Sequence, residues 1–169
     1  MEKVILVNER DKQIGTEEKQ KAHLEGKLHR AFSILIFNKK GEMLLQKRAK
    51  RKSFGGLWSN ACCSHPRPGE DILTAAKRRL KEEMGIETEL FEVFSFHYTA
   101  KDKNYIENEI DHVLYGIFDG DPKINKKEAE DFKWIKMKDL RRDIQKNPQK
   151  YTFWFKKILE YGEKFKELL

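Results

Sequence analysis

Residues 106–118 alternate in a way that few folds can accommodate. In an extended strand Val113, Tyr115 and Ile117 fall on one face, and Glu107, Glu109 and Asp111 stand in register on that same face. A carboxylate buried with an apolar face costs several kcal/mol unless it is paired or binds metal. Either the strand end frays into solvent, or the three acids meet compensating groups. Residues 89–99 predict a preceding strand, with Phe94, Phe96 and Tyr98 on one face, and a charged loop joins the two. Residues 31–37 are apolar almost throughout, as a buried strand is. Asn38-Lys39-Lys40-Gly41 then turns the chain into a returning strand at 43–46.

Both cysteines and one of the five histidines lie together in Asn60-Ala61-Cys62-Cys63-Ser64-His65-Pro66. If the strand predicted over 57–63 extends through His65, Cys63 and His65 share a face and Cys62 points to the other. Residues 71–84 follow as an amphipathic helix, with Ile72, Ala75, Ala76, Leu80 and Met84 as its stripe and Gly85 as its stop. Glu82 and Glu83 close the last turn, where the helix dipole disfavours carboxylates by about 0.3–1 kcal/mol, so a cation is expected beside them. A thiol, an imidazole and helix-borne carboxylates this close suggest a metal-assisted site. Two small buried thiols beside a surface histidine are the plainer alternative. Elsewhere the pattern predicts a short strand at 4–7, a highly charged segment at 16–28 holding His23, and a last strand at 132–135. A helix at 137–146 breaks at Asn147-Pro148. An amphipathic helix at 152–168 carries Phe153, Trp154, Phe155, Ile158, Leu159, Phe165 and Leu168.

A chain of 169 residues suits one domain with a proper core. Its net charge of +7 is concentrated in Lys47-Arg48-Ala49-Lys50-Arg51-Lys52 and Lys77-Arg78-Arg79-Leu80-Lys81. Such an excess fits nucleic acid, an anionic membrane surface or a small anionic substrate. No RNA-reading aromatic motif or zinc-finger spacing accompanies it, which argues against nucleic acid. Adjacent cysteines cannot build a disulfide framework, so a reducing, cytoplasmic setting is expected. The apolar run at 4–7 is too short for a signal peptide, and no stretch approaches a membrane span.

The helix matches part of a Nudix box, G-x5-E-x7-R-E-U-x-E-E-x-G-U with U apolar. Glu70, Arg78, Leu80, Glu82, Glu83, Gly85 and Ile86 fit. Ser64 stands where the first Gly belongs, and Arg79 replaces a Glu with which Nudix hydrolases gather divalent metal. Together with Leu28-His29-Arg30-Ala31-Phe32-Ser33, Cys62-Cys63-Ser64-His65-Pro66 and Glu107-Asn108-Glu109, the altered box makes the chain resemble the type I isopentenyl-diphosphate isomerases. The likeness runs from His23 to Trp154. It implies one α/β domain over 1–169, a Nudix-fold mixed sheet sandwiched between helices, with residues 1–30 as an extension over the site that supplies metal ligands.

The implied reaction interconverts isopentenyl and dimethylallyl diphosphates by adding and removing protons through a tertiary carbocation. On the family's pattern His23, His29, His65, Glu107 and Glu109 would hold a first metal, Mn²⁺, Zn²⁺ or Mg²⁺. Glu83 would reach a Mg²⁺ bridging the diphosphate. Lys19, Arg48, Ser64 and one of Lys50, Arg51 and Lys52, taken here as Lys52, would bind the diphosphate. Cys63 and Glu109 would move the protons, Tyr98 would hydrogen-bond Glu109, and Trp154 would lay its π face on the cation, an interaction worth about 2 kcal/mol. Nearby metal and the cationic pocket are expected to lower the Cys63 pKa below the ordinary value of about 8.5. His97 and His112 match nothing in the pattern. Phe54-Gly55-Gly56 departs from aromatic-Pro-Gly, and Thr152-Phe153-Trp154 lacks the proline often found before that Trp. A small-molecule substrate, neither nucleic acid nor membrane as partner, and a monomer or weak homodimer are expected. A Nudix diphosphohydrolase is the second hypothesis, and an inactive metal-binding or RNA-contacting module the third.

Overall fold

The computed structural model describes residues 1–162. The central strand is β3 (His29–Phe37), and its alternation splits the apolar residues into two cores. Phe32, Ile34 and Ile36 enter one core with Leu44, Leu114 and the Ala75, Ala76, Leu80, Met84 stripe of α2 (Ile72–Met84). Leu35 enters the other with Val113, Leu140 of α3 (Met137–Lys146), and Trp154, Phe155 and Ile158 of α4 (Phe153–Gly162). Helices therefore cover both faces of the sheet. This is the expected α/β sandwich.

The sheet is mixed. β1 (Lys3–Val7) and β2 (Gln13–Glu18) form an antiparallel hairpin whose Leu6 lies opposite His29. β4 (Glu42–Arg48) turns back along β3 and carries β9 (Ala129–Lys136) on its far side. β8 (Tyr105–Ile117) runs parallel to β3, from His29 opposite Glu109 to Phe37 opposite Ile117, and β7 (Phe91–Asp102) closes that side antiparallel to β8. The parallel register sets His29 beside Glu109.

The strand expected over 57–63 is two short ones, β5 (Trp58–Ser59) on β4 and β6 (Cys62–Ser64) on β3. Between them Asn60 occupies the break and satisfies it, its Nδ2 donating to the carbonyls of Ile34 at 3.1 Å and Cys62 at 3.0 Å. β9 runs past both ends of the expected 132–135 because its ladder with β4 continues through polar residues. The charged segment 16–28 contains the end of β2 and a short helix, α1 (Lys19–Glu25). The terminal helix is described from Phe153 to Gly162, and Phe165 and Leu168 lie outside the described residues. Among the described residues no helix is long and apolar enough to cross a membrane.

Asp71 caps α2, its Oδ1 accepting from the Thr74 amide at 2.7 Å. Gly85 ends the helix at φ 64°, and a Cβ there would stand 2.8 Å from Lys123 Cβ and 2.9 Å from the Lys123 carbonyl oxygen. Gly41 has φ 78° with open space around it. Gly41→Ala should therefore cost about 1 kcal/mol from backbone conformation alone, and Gly85→Ala at least about 2, measured by urea unfolding. Equal losses would show that the 123 segment yields freely.

Candidate active site

Glu109 is buried on β8 at 3% exposure, the cost anticipated from its place on an apolar face. Three elements meet it. His29 Nε2, at the start of β3, stands 2.9 Å from Glu109 Oε2, His65 Nε2 2.8 Å and His23 Nε2 of α1 3.7 Å from the same oxygen. His23 Nδ1 lies 2.7 Å from the Lys19 carbonyl and His29 Nδ1 2.8 Å from that of Lys27, so each ring gives its Nδ1 proton to a carbonyl. An imidazole bonded so presents a bare lone pair at Nε2 unless it carries a second proton. Lone pairs aimed at one carboxylate oxygen repel it, and a shared positive charge removes the repulsion. His23 Nε2 is buried with no hydrogen-bond partner. The donor atoms of His23, His29, His65 and Glu109 all lie within 4.8 Å of one another, and nitrogen and oxygen donors with backbone-anchored rings fit a divalent metal ion.

Glu107 stands outside that cluster. Tyr98 Oη lies 2.5 Å from Glu107 Oε2 and 2.8 Å from Glu109 Oε1, so one phenol bridges the two acids. Burial, reinforced by Glu109, pushes the Glu107 carboxyl well up. Burial alone would also raise Glu109, but His65, His23 and His29 hold it well below the usual carboxylate range. Burial depresses the His65 imidazole to about 3 against the opposing pull of Glu109. The consistent arrangement is a protonated Glu107 donating to Tyr98 and Tyr98 donating to an ionised Glu109.

Strand parity separates the thiols as expected: Cys62 is in the α2 core, and Cys63 opens on the same cleft as His65 and Glu109. That cleft has a volume of about 570 Å³. Trp154 Nε1 donates to Cys63 Sγ at 3.0 Å, so the indole offers its N–H edge to the sulfur while the Arg48 guanidinium stands 5.1 Å from the ring centroid. The protein's own groups around Cys63, apart from any metal or diphosphate, act against a lowered pKa. Burial, with the adjacent buried Asp111, pushes the thiol up to about 12 against the opposing pull of Arg48, Ser33 and Trp154.

The other end of the cleft is cationic. Lys19, Arg48, Lys52 and Ser64 all line it. Lys50 and Arg51 line it too, but both are exposed, whereas Lys52 is largely covered and 2.9 Å from Glu128. Arg48 is buried, its Nε donating to the Ser53 carbonyl at 3.0 Å. Phe54 takes a left-handed φ of 56°, held by its amide donating to Asp102 Oδ2 at 2.7 Å and by edge contact with Trp154. Glu83 is fully buried, with Gln46 Nε2 3.0 Å from Oε1 and Arg79 Nη2 2.6 Å from Oε2. The cation expected beside the helix-end acids is therefore Arg79, one turn back on the same helix. His97 pairs with Asn108 at the surface, and His112 is clamped between Asp11 and Glu92 on the far side of the hairpin tip.

Comparison with known proteins agrees with this geometry. The NUDIX domain profile matches residues 27–155. Isopentenyl-diphosphate Delta-isomerase 1 of Aromatoleum aromaticum is 52% identical over 94% of this chain and 91% of its own. Isopentenyl-diphosphate Delta-isomerase 2 of Photorhabdus laumondii is 50% identical over 92% and 89%, and the isomerase of Pectobacterium atrosepticum 43% over 96% and 94%. Among solved structures, the MutT protein of Methanosarcina mazei superposes with a TM-score of 0.68 at 20% identity over 82% of this chain and 95% of that one. A MutT NUDIX hydrolase of Burkholderia pseudomallei gives 0.64 at 24% over 79% and 96%. At those identities the likeness is one of fold.

Glu128 also lines the cleft, and no local motif in the sequence signals it. It joins Lys52 to Arg79, 2.9 and 3.4 Å away, at the mouth of the cleft. Burial would raise its carboxyl, but the two cations bring it down to about 2. A depressed carboxylate stabilises the fold above its unfolded pKa of about 4.3 and loses that contribution as pH falls toward 2. Glu128→Gln should therefore destabilise the protein at pH 7 by on the order of 1 kcal/mol and by progressively less between about pH 5 and 2. A pH-independent difference in urea unfolding would refute the ion-pair account.

Proposed function

We propose that this chain, which belongs to the NUDIX family and within it to the isopentenyl-diphosphate Delta-isomerases, moves protons between Cys63 and Glu109 across one enclosed cleft. The reaction interconverts isopentenyl and dimethylallyl diphosphate. It needs a proton delivered to one alkene carbon, a second removed from the far side of a tertiary cation, and no water nearby. The observation that carries the assignment is geometric: a thiol, Cys63, and a carboxylate, Glu109, line one cleft with Trp154 beside the sulfur and Tyr98 on the carboxylate. One can give a proton as the other takes one, and the roles exchange with the direction of reaction. Tyr98, bridging Glu109 and Glu107, relays or steadies the proton on that side. Trp154 forms the cleft wall beside Cys63 and offers π density to the cation, while Arg48, Lys52, Lys19 and Ser64 hold the diphosphate at the basic end.

His23, His29, His65 and Glu109 would hold a divalent ion, Mn²⁺, Zn²⁺ or Mg²⁺, which would supply the positive charge that those converging donors call for. Glu107 contributes from beside it through Tyr98. Glu83 keeps a second lone pair on each oxygen beyond its bonds to Gln46 and Arg79, enough for a hard cation such as Mg²⁺ at the diphosphate. Arg79, occupying the place of a Nudix carboxylate, removes a hydrolase ligand and favours isomerisation over hydrolysis.

Incubation with isopentenyl diphosphate and divalent metal in deuterated water should place deuterium in the recovered diphosphates. Cys63→Ala should lose at least about 10³-fold in kcat, as expected for a group acting in proton transfer, and Cys62→Ala should keep most activity. Released phosphate in place of labelled product, or equal activity of the two variants, would overturn the assignment.

The metal reading has its own measurement. In titration calorimetry of chelator-treated protein with Mn²⁺, His65→Ala should weaken binding by at least about tenfold, and Glu107→Gln by less, because only His65 points a donor into the cluster. Undiminished binding by His65→Ala would exclude that cluster.

A further inference from the structure

Asn60, which the mechanism above does not use, ties the reacting sulfur to the wall that faces the cation. Its side-chain amide can stand only one way round. Nδ2 donates to the carbonyls of Ile34 and Cys62, so Oδ1 must point the other way, where Cys63 Sγ lies 3.1 Å and Ser59 Oγ 2.9 Å from it. An amide oxygen only accepts, so both the thiol and the Ser59 hydroxyl donate to it. With its proton committed, Ser59 Oγ can only accept from Thr152 Oγ1, 2.9 Å away. Thr152 lies two residues before Trp154, whose indole N–H donates to the same Cys63 sulfur at 3.0 Å. Thr152, Ser59, Asn60, Cys63 and Trp154 thus form a closed ring. Asn60, Ser59, Thr152 and Trp154 are all buried, so bulk water cannot replace a missing member.

We infer that Asn60 is a positioning residue for the isomerisation: it fixes the rotamer of the Cys63 thiol and, through Ser59 and Thr152, locks that thiol to Trp154 as one unit. The inference rests on Cys63 being a proton-transfer group. The sulfur is held by the Asn60 oxygen and the Trp154 N–H, with Ser33 Oγ farther off at 3.7 Å, and when the thiol acts as acid its proton swings from the Asn60 oxygen to the substrate while the sulfur keeps its place. Freed from one tether it turns away from the line of proton transfer, and small misplacements of a reacting atom carry large rate costs. Asn60 does not line the cleft, so diphosphate binding should not depend on it.

The S–H stretching band of Cys63, recorded by Raman spectroscopy in a Cys62→Ala background, tests the bond directly. It should stand below the frequency of a free thiol and move up on Asn60→Ala. That variant should lose about fivefold or more in kcat, the value of one hydrogen bond, with KM unchanged within about twofold. Ser59→Ala should leave the band in place, because Asn60 still accepts from the thiol. A free-thiol frequency in the Cys62→Ala protein itself overturns the inference even if Asn60→Ala does not fold. An unmoved band, an unchanged kcat or a loss confined to KM in a folded Asn60→Ala overturns it too. If Cys63→Ala retained full activity the proton-transfer reading would fail, while the band would still report whether the bond exists.

Discussion

A carboxylate out of reach of water is the constraint around which this molecule is arranged. Glu109 sits inside the sheet on an apolar face, where an isolated charge would cost several kcal/mol. Compensation comes from four places in the chain: His23 on α1, His29 at the head of β3, His65 just after β6, and Tyr98 across the β7–β8 ladder. To bring them together, β8 must run parallel to β3 in one register, the N-terminal hairpin must fold back against His29, and β6 must pair with β3 near its start. A slip by one residue would turn Glu109 away and leave its partners facing each other.

The same parity governs the thiols. Two adjacent cysteines of identical chemistry end in different environments because successive strand residues face opposite ways. Cys62 joins the core under α2 and Cys63 the cleft wall beside His65 and Glu109. Their neighbours reinforce the division. Asn60 occupies the break between β5 and β6 with its amide turned toward Cys63, and Ser64 lies with Cys63 on the cleft wall.

Much of this was legible in the residues themselves. The length and alternation of the strands, the capped helix ending at Gly85, and the acids in step with Val113 and Tyr115 all act over short distances, where local stereochemistry decides. The division of Cys62 from Cys63 followed from parity alone. What escaped has a common cause, which is that it depends on contacts distant in sequence. Glu128 matters only because Lys52 and Arg79 arrive beside it from other elements. Enclosure and the neighbouring Asp111 push the Cys63 thiol up, and neither depth of burial nor that neighbour can be read from a linear motif. The break at Asn60 is likewise invisible until the Ile34 carbonyl is known to lie within its reach.

The position of His23 carries a consequence for how the chain is held closed. The NUDIX profile begins at residue 27, so this imidazole is supplied by a segment that precedes the common domain. Among the described residues the segment's other deep anchors are the β1 side chains Val4, Ile5 and Val7, together with Ala22. Were the proposed ion held in part by His23, its capture and the docking of this segment would be one thermodynamic event, each strengthening the other by the same factor. The N-terminal hairpin is then more than a cover. With α1 it would act as a latch whose tightness reads out the occupancy of the proposed site beneath it.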